Sequence, residues 1–280
     1  MDPPAASIVV PTVGRVAYLE VTLNSLVSQD AGEPYEVLVV DDSAGDGSRQ
    51  SCERRGVRCV SHAERQGANA ARNTGLRETS AELVLFVDDD VAAPPGWLRA
   101  YLEAAGRHPD AEAFGGPIRP RLEGPAPRAC GREEPPITTL DLGPEDREAE
   151  AVWSANMMVR RSAVERIGDF DEAMMPGGDE HEWLERLRAR GGRIVYVAAA
   201  GLDHRRAGDD ARLRSLARAA YARGRAVRRW DRRRGIAPPL VRELRVLAGC
   251  GWHTVRRSCP QGLVMGAHSL GRTVEAVRPR

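Results

Sequence analysis

Two kinds of hydrophobic pattern alternate along the first 119 residues. Short, mostly apolar runs occupy positions 8–10, 37–40, 57–60 and 83–87. Between them apolar side chains recur at helical spacing, as Leu19, Leu23, Leu26 and Val27 do after the first run. Apolar strands that alternate with helices are typical of an open sheet buried on both faces. The pattern predicts an α/β fold whose open, mostly parallel sheet is flanked by helices.

The pattern changes after residue 119. Residues 120–150 are rich in proline, glycine and charge, which predicts a long loop that covers a site. Regular elements are expected again as a strand from Trp153 to Val159, helices at 161–167 and 179–190, and a strand at 193–198. We expect one domain at 1–206, with halves at 1–119 and 120–206, and a helical, arginine-rich extension at 207–280.

Composition excludes some chemistry. The 280-residue chain contains 41 basic residues, and every one is arginine. A P-loop and a pyridoxal-phosphate site both need a lysine, so neither class fits. The net charge is only +1, but arginines cluster between Arg205 and Arg234. This cluster is consistent with binding to an anionic membrane or to a phosphorylated acceptor. The alternative is a solvated helix face, and binding to nucleic acid is not favoured.

Cysteine usage and hydropathy bear on location. The five cysteines, Cys52, Cys59, Cys130, Cys250 and Cys259, form no CxxC pair, so neither a disulfide framework nor a zinc ribbon is indicated. The N-terminus has no signal-peptide pattern, and no window reaches about 18 apolar residues. These features predict a cytoplasmic protein without a membrane span.

Polar signals follow three successive strands of the expected sheet. They are Pro11-Thr12, Asp41-Asp42 and Asp88-Asp89-Asp90. Ligands of open α/β sheets bind beyond the carboxyl ends of the strands, so these side chains are expected to share one crevice. Three adjacent carboxylates repel one another unless a cation compensates, and oxygen ligands suit Mg²⁺ or Mn²⁺. The alternative is a solvated turn that caps the next helix.

Three further segments are candidates for the same site. Residues 67–75 can present backbone N–H groups and Arg72 to a diphosphate, or can simply be a packing helix. Asp179 and Glu180 open a helix, where acids also favour the helix dipole. His204 follows a strand and a short turn, and a single histidine is often structural.

Taken in order, these motifs resemble the family-two glycosyltransferases. The resemblance lies in Ile-Val-Val-Pro-Thr at 8–12, Val-Val-Asp-Asp-Ser at 39–43, Gly-Ala-Asn-Ala-Ala-Arg-Asn-Thr-Gly at 67–75, and Leu-Phe-Val-Asp-Asp-Asp at 85–90. It continues through 156–161, 167–172 and 178–192, and covers roughly residues 6–206. The family implies a Rossmann-like GT-A fold, inversion at the anomeric carbon, a nucleotide-binding half at 1–119 and an acceptor-side half at 120–206.

The resemblance also implies roles for single residues. The residues that match the base and ribose contacts are Pro11, Thr12, Asp41 and Asp42. Those that match the diphosphate region are Gly67, Asn69 and Arg72. Asp88 and Asp90 match the ends of the DxD motif, with Asp89 between them on the nucleotide sugar. His204 matches a histidine that completes the metal or phosphate site in some relatives. The family's Glu-Asp pair is Asp179-Glu180 here, so either is a candidate base, with Glu180 at the usual position. Val13-Gly14 replace the usual Tyr-Asn.

The expected reaction is a direct displacement from a UDP-, GDP- or dTDP-linked sugar to an unidentified acceptor, with a divalent metal and a carboxylate base. An inactive nucleotide-sugar-binding scaffold is one alternative. A nucleotidyltransferase is less favoured because the segment after the first strand is too short for its glycine-rich signature. An aspartyl phosphatase fits poorly, since Ala92 replaces the last residue of its motif.

Overall fold

The computed structural model describes residues 3–43, 45, 47–128, 130–132, 136–174 and 179–278. The strands are β1 Ala6–Thr12, β2 Tyr35–Asp41, β3 Arg58–Ser61, β4 Leu83–Val87, β5 Val91–Ala92, β6 Ala111–Gly115, β7 Ile118–Glu123, β8 Arg147–Glu148, β9 Asn156–Arg160, β10 Arg193–Tyr196 and β11 Leu202–Ala207. The helices are α1 Val16–Val27, α2 Gly47–Glu53, α3 Ala68–Glu78, α4 Trp97–Arg107, α5 Arg161–Ile167, α6 Asp179–Ala189, α7 Leu213–Arg233, α8 Leu240–Arg257 and α9 Gln261–Ala276.

The main sheet has the strand order β3-β2-β1-β4-β9-β6-β10-β8. Strands β3, β2, β1 and β4 are parallel neighbours, whereas β9 runs antiparallel to both β4 and β6. Strand β1 lies between β2 and β4, with Thr12 beside Asp41. The predicted α/β class with a parallel-rich sheet is confirmed, and the three polar strand ends meet at one edge.

Alternate residues of the central strands face opposite layers. Ile8 and Val10 pack with α1 and α4, whereas Val9 packs with α3 and α6. Because helices cover both faces, each central strand must be apolar at every position. This explains why these strands read as continuous hydrophobic runs.

The segment predicted as the loop 120–150 is partly a strand. Strand β7 extends into it, and β8 lies near its end; residues 129 and 133–135 lie outside the described part. Strand β7 has an Arg-Pro-Arg sequence and exposed side chains, so it carries no apolar pattern. Strand β7 forms because it pairs with β11 in a small sheet of order β5-β11-β7. The same sheet corrects the turn expected at His204, which lies within β11.

Contacts divide the chain into two compact units. The first comprises 1–119, 139–174 and 179–204, and the second 120–138, 175–178 and 205–280. The domain boundary at 206 stays a prediction. No helix among the described residues is long and apolar enough to cross a membrane.

Ion pairs link the helices of the second unit. The pairs are Arg225 with Glu275 at 2.8 Å, Arg228 with Glu243 at 3.1 Å, and Arg272 with both Glu243 and Asp231 at 2.8 Å. Arg228 and Glu243 are buried. Two arginines of the 205–234 cluster, Arg225 and Arg228, therefore help to hold this unit together through ion pairs.

Gly75 on α3 marks a close approach of helix to strand. An added Cβ would lie 2.3 Å from Val9 Cγ1, so Gly75→Ala must displace a buried, β-branched side chain. We expect it to lower the free energy of unfolding by about 1–3 kcal/mol. Gly106→Ala on α4 is the matched control, because its Cβ meets nothing within 4 Å and alanine favours a helix by about 0.5–1 kcal/mol. Urea denaturation of both variants checks the prediction, and equal effects would contradict it.

Candidate active site

The carboxyl end of β4 carries the acidic cluster. Asp88, Asp89 and Asp90 follow the last residue of β4, and β5 begins directly after them. Strand β11 pairs antiparallel with β5, so that His204 lies opposite Val91. This register brings an imidazole from a distant part of the chain beside the acidic cluster.

Asp88, Asp90 and His204 form a group of converging ligand atoms. One ligand atom from each lies within 4.8 Å of the others. His204 Nε2 is 3.0 Å from Asp90 Oδ1, and both side chains are almost fully buried. Two carboxylates and one imidazole suit a divalent cation that prefers oxygen and nitrogen ligands. The metal ligands proposed from the sequence therefore come together, including the histidine.

The electrostatics of this group favour a cation. Burial and the neighbouring charge of Asp90 raise the pKa of Asp88, although His204, Arg72 and Arg15 act in the opposite direction. A buried carboxylate beside a second one is destabilised in its charged form, and a bound cation removes that penalty.

Asp89 is engaged differently from its two neighbours. Its carboxylate accepts a hydrogen bond from Thr12 Oγ1 at 2.5 Å and forms an ion pair with Arg15. Asp89 is 1% exposed. Arg15 also donates to Asp90 at 2.8 Å. Burial raises the pKa of Asp89 to about 6, against the opposing charge of Arg15. The sequence predicts that Asp89 and Thr12 contact the nucleotide sugar. In the structure they join the acidic turn to β1 and to Arg15, the residue before α1.

Asp41 and Asp42 at the end of β2 have distinct surroundings. Asp42 accepts hydrogen bonds from the backbone of Gln66 at 2.7 Å and Gly67 at 2.8 Å, and its Oδ1 is 2.8 Å from His62 Nδ1. It therefore fixes the turn that leads into α3. Asp41 is fully buried, and its Oδ2 has no hydrogen-bond partner among the described residues. A buried acceptor without a partner is costly, so Asp41 Oδ2 is the oxygen left for a ligand donor.

The polar face of α3 links the acidic cluster to the second half of the sheet. The buried guanidinium of Arg72 donates to Asn69 at 2.6 Å and to Ser154 at 2.7 Å. Asn69 also donates to the carbonyl of Asp171. The charge of Arg72 partly opposes the rise in the pKa of Asp88 that burial and Asp90 cause, so it acts on the metal-ligand group. Gly67 precedes α3 with φ +107°, a conformation that favours glycine.

The candidate base lies on the first turn of α6. Glu180 is half-buried, and the next residue, His181, stacks on Trp153 with ring centroids 4.8 Å apart. Trp153 adjoins Ser154, the partner of Arg72. The stacking places the first turn of α6 beside the segment that carries Ser154. Asp179 begins α6, but its side chain and residues 175–178 lie outside the described part.

Arg15, His62 and Ser154 were missed by the sequence reasoning. Each positions a predicted site residue: Arg15 holds Asp89, His62 holds Asp42, and Ser154 holds Arg72. None sits in an apolar or acidic pattern of its own, and their partners are 20 to 82 residues away. Pro11 lies in β1 beside Val40, as its position in the strand requires.

Comparison with known proteins identifies relatives of this chain. Residues 7–168 match the family model described as Glycosyl transferase family 2. The chain is 26% identical over 201 residues to "Glycosyltransferase AglE" of Haloferax volcanii, and 35% identical over 187 residues to "Pre-mycofactocin glycosyltransferase" of Mycobacterium tuberculosis. These matches cover 69% and 60% of this chain but only 64% and 37% of the relatives' lengths.

A solved structure supports the fold. Mannosyltransferase PcManGT from Pyrobaculum calidifontis, in complex with GDP-Man and Mn²⁺, superposes with a TM-score of 0.66 at 18% identity. The match covers 99% of this chain and 88% of that one. At this identity the likeness concerns the fold, which is of the GT-A type expected from the motifs.

Proposed function

Because the chain belongs to glycosyl transferase family 2, we propose that it is a metal-dependent, inverting glycosyltransferase that uses a nucleoside-diphosphate sugar. The observation that carries the proposal is the convergence of Asp88, Asp90 and His204 at the edge where β1, β2 and β4 end. Donors linked to UDP, GDP or dTDP fit this proposal. The neighbour solved with GDP-Man and Mn²⁺ supports the donor class.

The metal site takes its ligands from both halves of the fold. Asp90 and Asp88 would hold Mg²⁺ or Mn²⁺ with their oxygens, and His204 with its imidazole. When bound, the cation supplies positive charge to the leaving diphosphate. Arg15 keeps the acidic turn in place through Asp89 and Asp90. Arg72 adds a buried positive charge near Asp88, on the side where the diphosphate would lie.

A single displacement needs one base. Glu180 would accept the proton of the acceptor hydroxyl while the acceptor oxygen bonds to the anomeric carbon and the bond to the diphosphate oxygen breaks. The attack comes from the face opposite the leaving group, so the configuration inverts. Asp179 is the competing candidate for the base. Gly67, Asn69, Pro11 and Asp41 would form the diphosphate, base and ribose contacts.

A donor panel tests this proposal before the acceptor is known. The chain is incubated with UDP-, GDP- and dTDP-sugars and Mn²⁺, and release of nucleoside diphosphate by slow transfer to water is measured. We expect release with one donor class, lost with EDTA and restored by Mn²⁺. An inactive scaffold would bind the donor without release. A nucleotidyltransferase would instead form pyrophosphate from a nucleoside triphosphate and a sugar phosphate, and either result would overturn the proposal.

We also propose a cytoplasmic protein that touches an anionic membrane through its C-terminal extension. Helix α8 supports this with an exposed apolar stripe at Val241, Leu244, Trp252 and Val255, which are 48–77% exposed. At 100° per residue these positions fall within one narrow sector, flanked by Arg245 and Arg256. Apolar residues beside arginines are typical of helices that lie on anionic lipid.

Vesicle co-sedimentation checks the membrane contact. We expect the Leu244→Gln/Trp252→Gln double variant to bind vesicles of phosphatidylglycerol about tenfold more weakly than the wild type, because it removes apolar area from the contact. The control is Val277→Gln, which is 63% exposed outside the stripe and should bind normally. Equal binding by both variants would refute the contact.

A further inference from the structure

The second unit contains a group of soft ligands that the transferase chemistry does not use. Cys130, His253 and Cys259 each offer one ligand atom, and these atoms lie within 4.8 Å of one another. His253 Nε2 is 3.3 Å from Cys130 Sγ. All three residues belong to the second unit. They share no spacing motif, since 123 residues separate Cys130 from His253.

A backbone reversal brings two of the ligands together. His253 and Cys259 are six residues apart, so on a continuous helix they would face different directions. Helix α8 ends at Arg257, and the next residue, Ser258, has the left-handed conformation φ 46°, ψ 41°. Ser258 is the only non-glycine residue with positive φ in the described part of the chain. The turn lets the Cys259 amide bond to the Thr254 carbonyl, and folds Cys259 back toward His253.

The first turn of α9 packs against the histidine and donates a hydrogen bond to the chain that precedes Cys130. A Cβ at Gly262 would lie 3.1 Å from His253 Cδ2, so the first turn of α9 packs tightly on that ring. Gln261, 5% exposed, donates to the Pro127 carbonyl at 3.4 Å. Cys259 is buried, whereas Cys130 is exposed and open to an incoming ion. The three ligand residues therefore lie close together without a metal.

We propose that Cys130, His253 and Cys259 form a zinc site that ties the segment around Cys130 to the α8–α9 hairpin. Two thiolates and an imidazole are ligands that Zn²⁺ prefers, at bond lengths of about 2.3 and 2.0 Å. A tetrahedral centre with these lengths spaces its ligand atoms about 3.5–3.8 Å apart. The separations here, 3.3 Å for the His253–Cys130 pair and no more than 4.8 Å for the others, need only small shifts.

The site differs in chemistry from the acidic cluster of the first unit. Carboxylates dominate there, and they suit Mg²⁺ or Mn²⁺, whereas thiolates select Zn²⁺. Binding requires both thiols to lose their protons, so it releases protons and strengthens as the pH rises. Since the metal joins residues far apart in sequence, it stabilises the folded second unit.

Cobalt substitution tests the site in the whole chain without an activity assay. Thiolate ligation gives Co²⁺ a charge-transfer absorption that a carboxylate and histidine site cannot produce, so the acidic cluster does not interfere. With reduced thiols, we expect the wild type to bind Co²⁺ with this absorption, and Zn²⁺ to displace it. Cys130→Ala, Cys259→Ala and His253→Asn should weaken Zn²⁺ binding more than about 100-fold, since loss of even an outer-shell partner costs 10–100-fold.

The matched control is Cys250→Ala. Cys250 lies one turn before His253 on α8 and is 7% exposed, so it tests the loss of a buried thiol outside the ligand group. It should keep the absorption and the zinc affinity of the wild type, with circular dichroism showing that every variant is folded. The proposal is overturned if folded, reduced wild type shows no thiolate absorption, or if Cys130→Ala and Cys259→Ala retain it.

Discussion

The Asp90→Asn variant is expected to release nucleoside diphosphate from the donor about 10³-fold more slowly than the wild type, at any Mn²⁺ concentration. Asp90 is 1% exposed and lies 3.0 Å from His204 Nε2, so its carboxylate is central to the metal-ligand group. An amide of the same size removes the ligand charge. A loss of about 4 kcal/mol of transition-state stabilisation gives this factor.

Two controls separate chemistry from folding in this experiment. Asp90 also pairs with Arg15, so the unfolding temperature of Asp90→Asn without ligands must be compared with that of the wild type. Asp110→Asn removes an exposed carboxylate paired with Arg193, and should leave the rate unchanged. Metal-dependent release by folded Asp90→Asn within about tenfold of the wild-type rate would show that Asp90 is not a ligand.

The Glu180→Gln variant is expected to lose turnover while keeping donor binding. Removing a general base lowers the rate by about 10²–10⁴-fold. The metal ligands and Arg72 are untouched, so the metal-dependent affinity for nucleoside diphosphate should stay within about twofold of the wild type. Release kinetics and calorimetric titration on the same preparation measure the two quantities.

Asp179→Asn and Glu185→Gln identify which acid matters. Asp179 precedes Glu180 on the first turn of α6, and Glu185 lies farther along the same helix. If Glu180 is the base, only Glu180→Gln loses turnover to this extent. A large loss in Asp179→Asn with normal Glu180→Gln would transfer the role to Asp179, and parallel losses of binding and turnover would indicate a structural effect.

The sheet and the acidic edge could be predicted because local sequence determines them. The runs at 8–10 and 83–87 are apolar at every position, since both faces of β1 and β4 are buried. Parallel strands end at the same edge, so the polar residues after β1, β2 and β4 had to meet. The triple aspartate marked that edge as charged.

The rest depends on contacts that no local pattern contains. His204 reaches Asp90 only because β11 pairs with β5, a strand of two residues. Thr12 contacts Asp89 whereas His204 contacts Asp90, and three consecutive aspartates do not reveal this difference in the sequence. Cys259 turns back toward His253 through a single left-handed residue, Ser258, and Cys130 joins them from a distant part of the sequence.

Thermal unfolding with nucleoside diphosphates, with and without Mn²⁺, tests the metal-dependent donor site most directly. A ligand that binds only the folded state stabilises it according to its concentration and affinity. We expect one nucleoside diphosphate to raise the unfolding temperature of the wild type only when Mn²⁺ is present, and to leave that of Asp90→Asn unchanged. An equal rise without metal, or the same rise in Asp90→Asn, would contradict a metal-dependent donor site built on Asp88, Asp90 and His204.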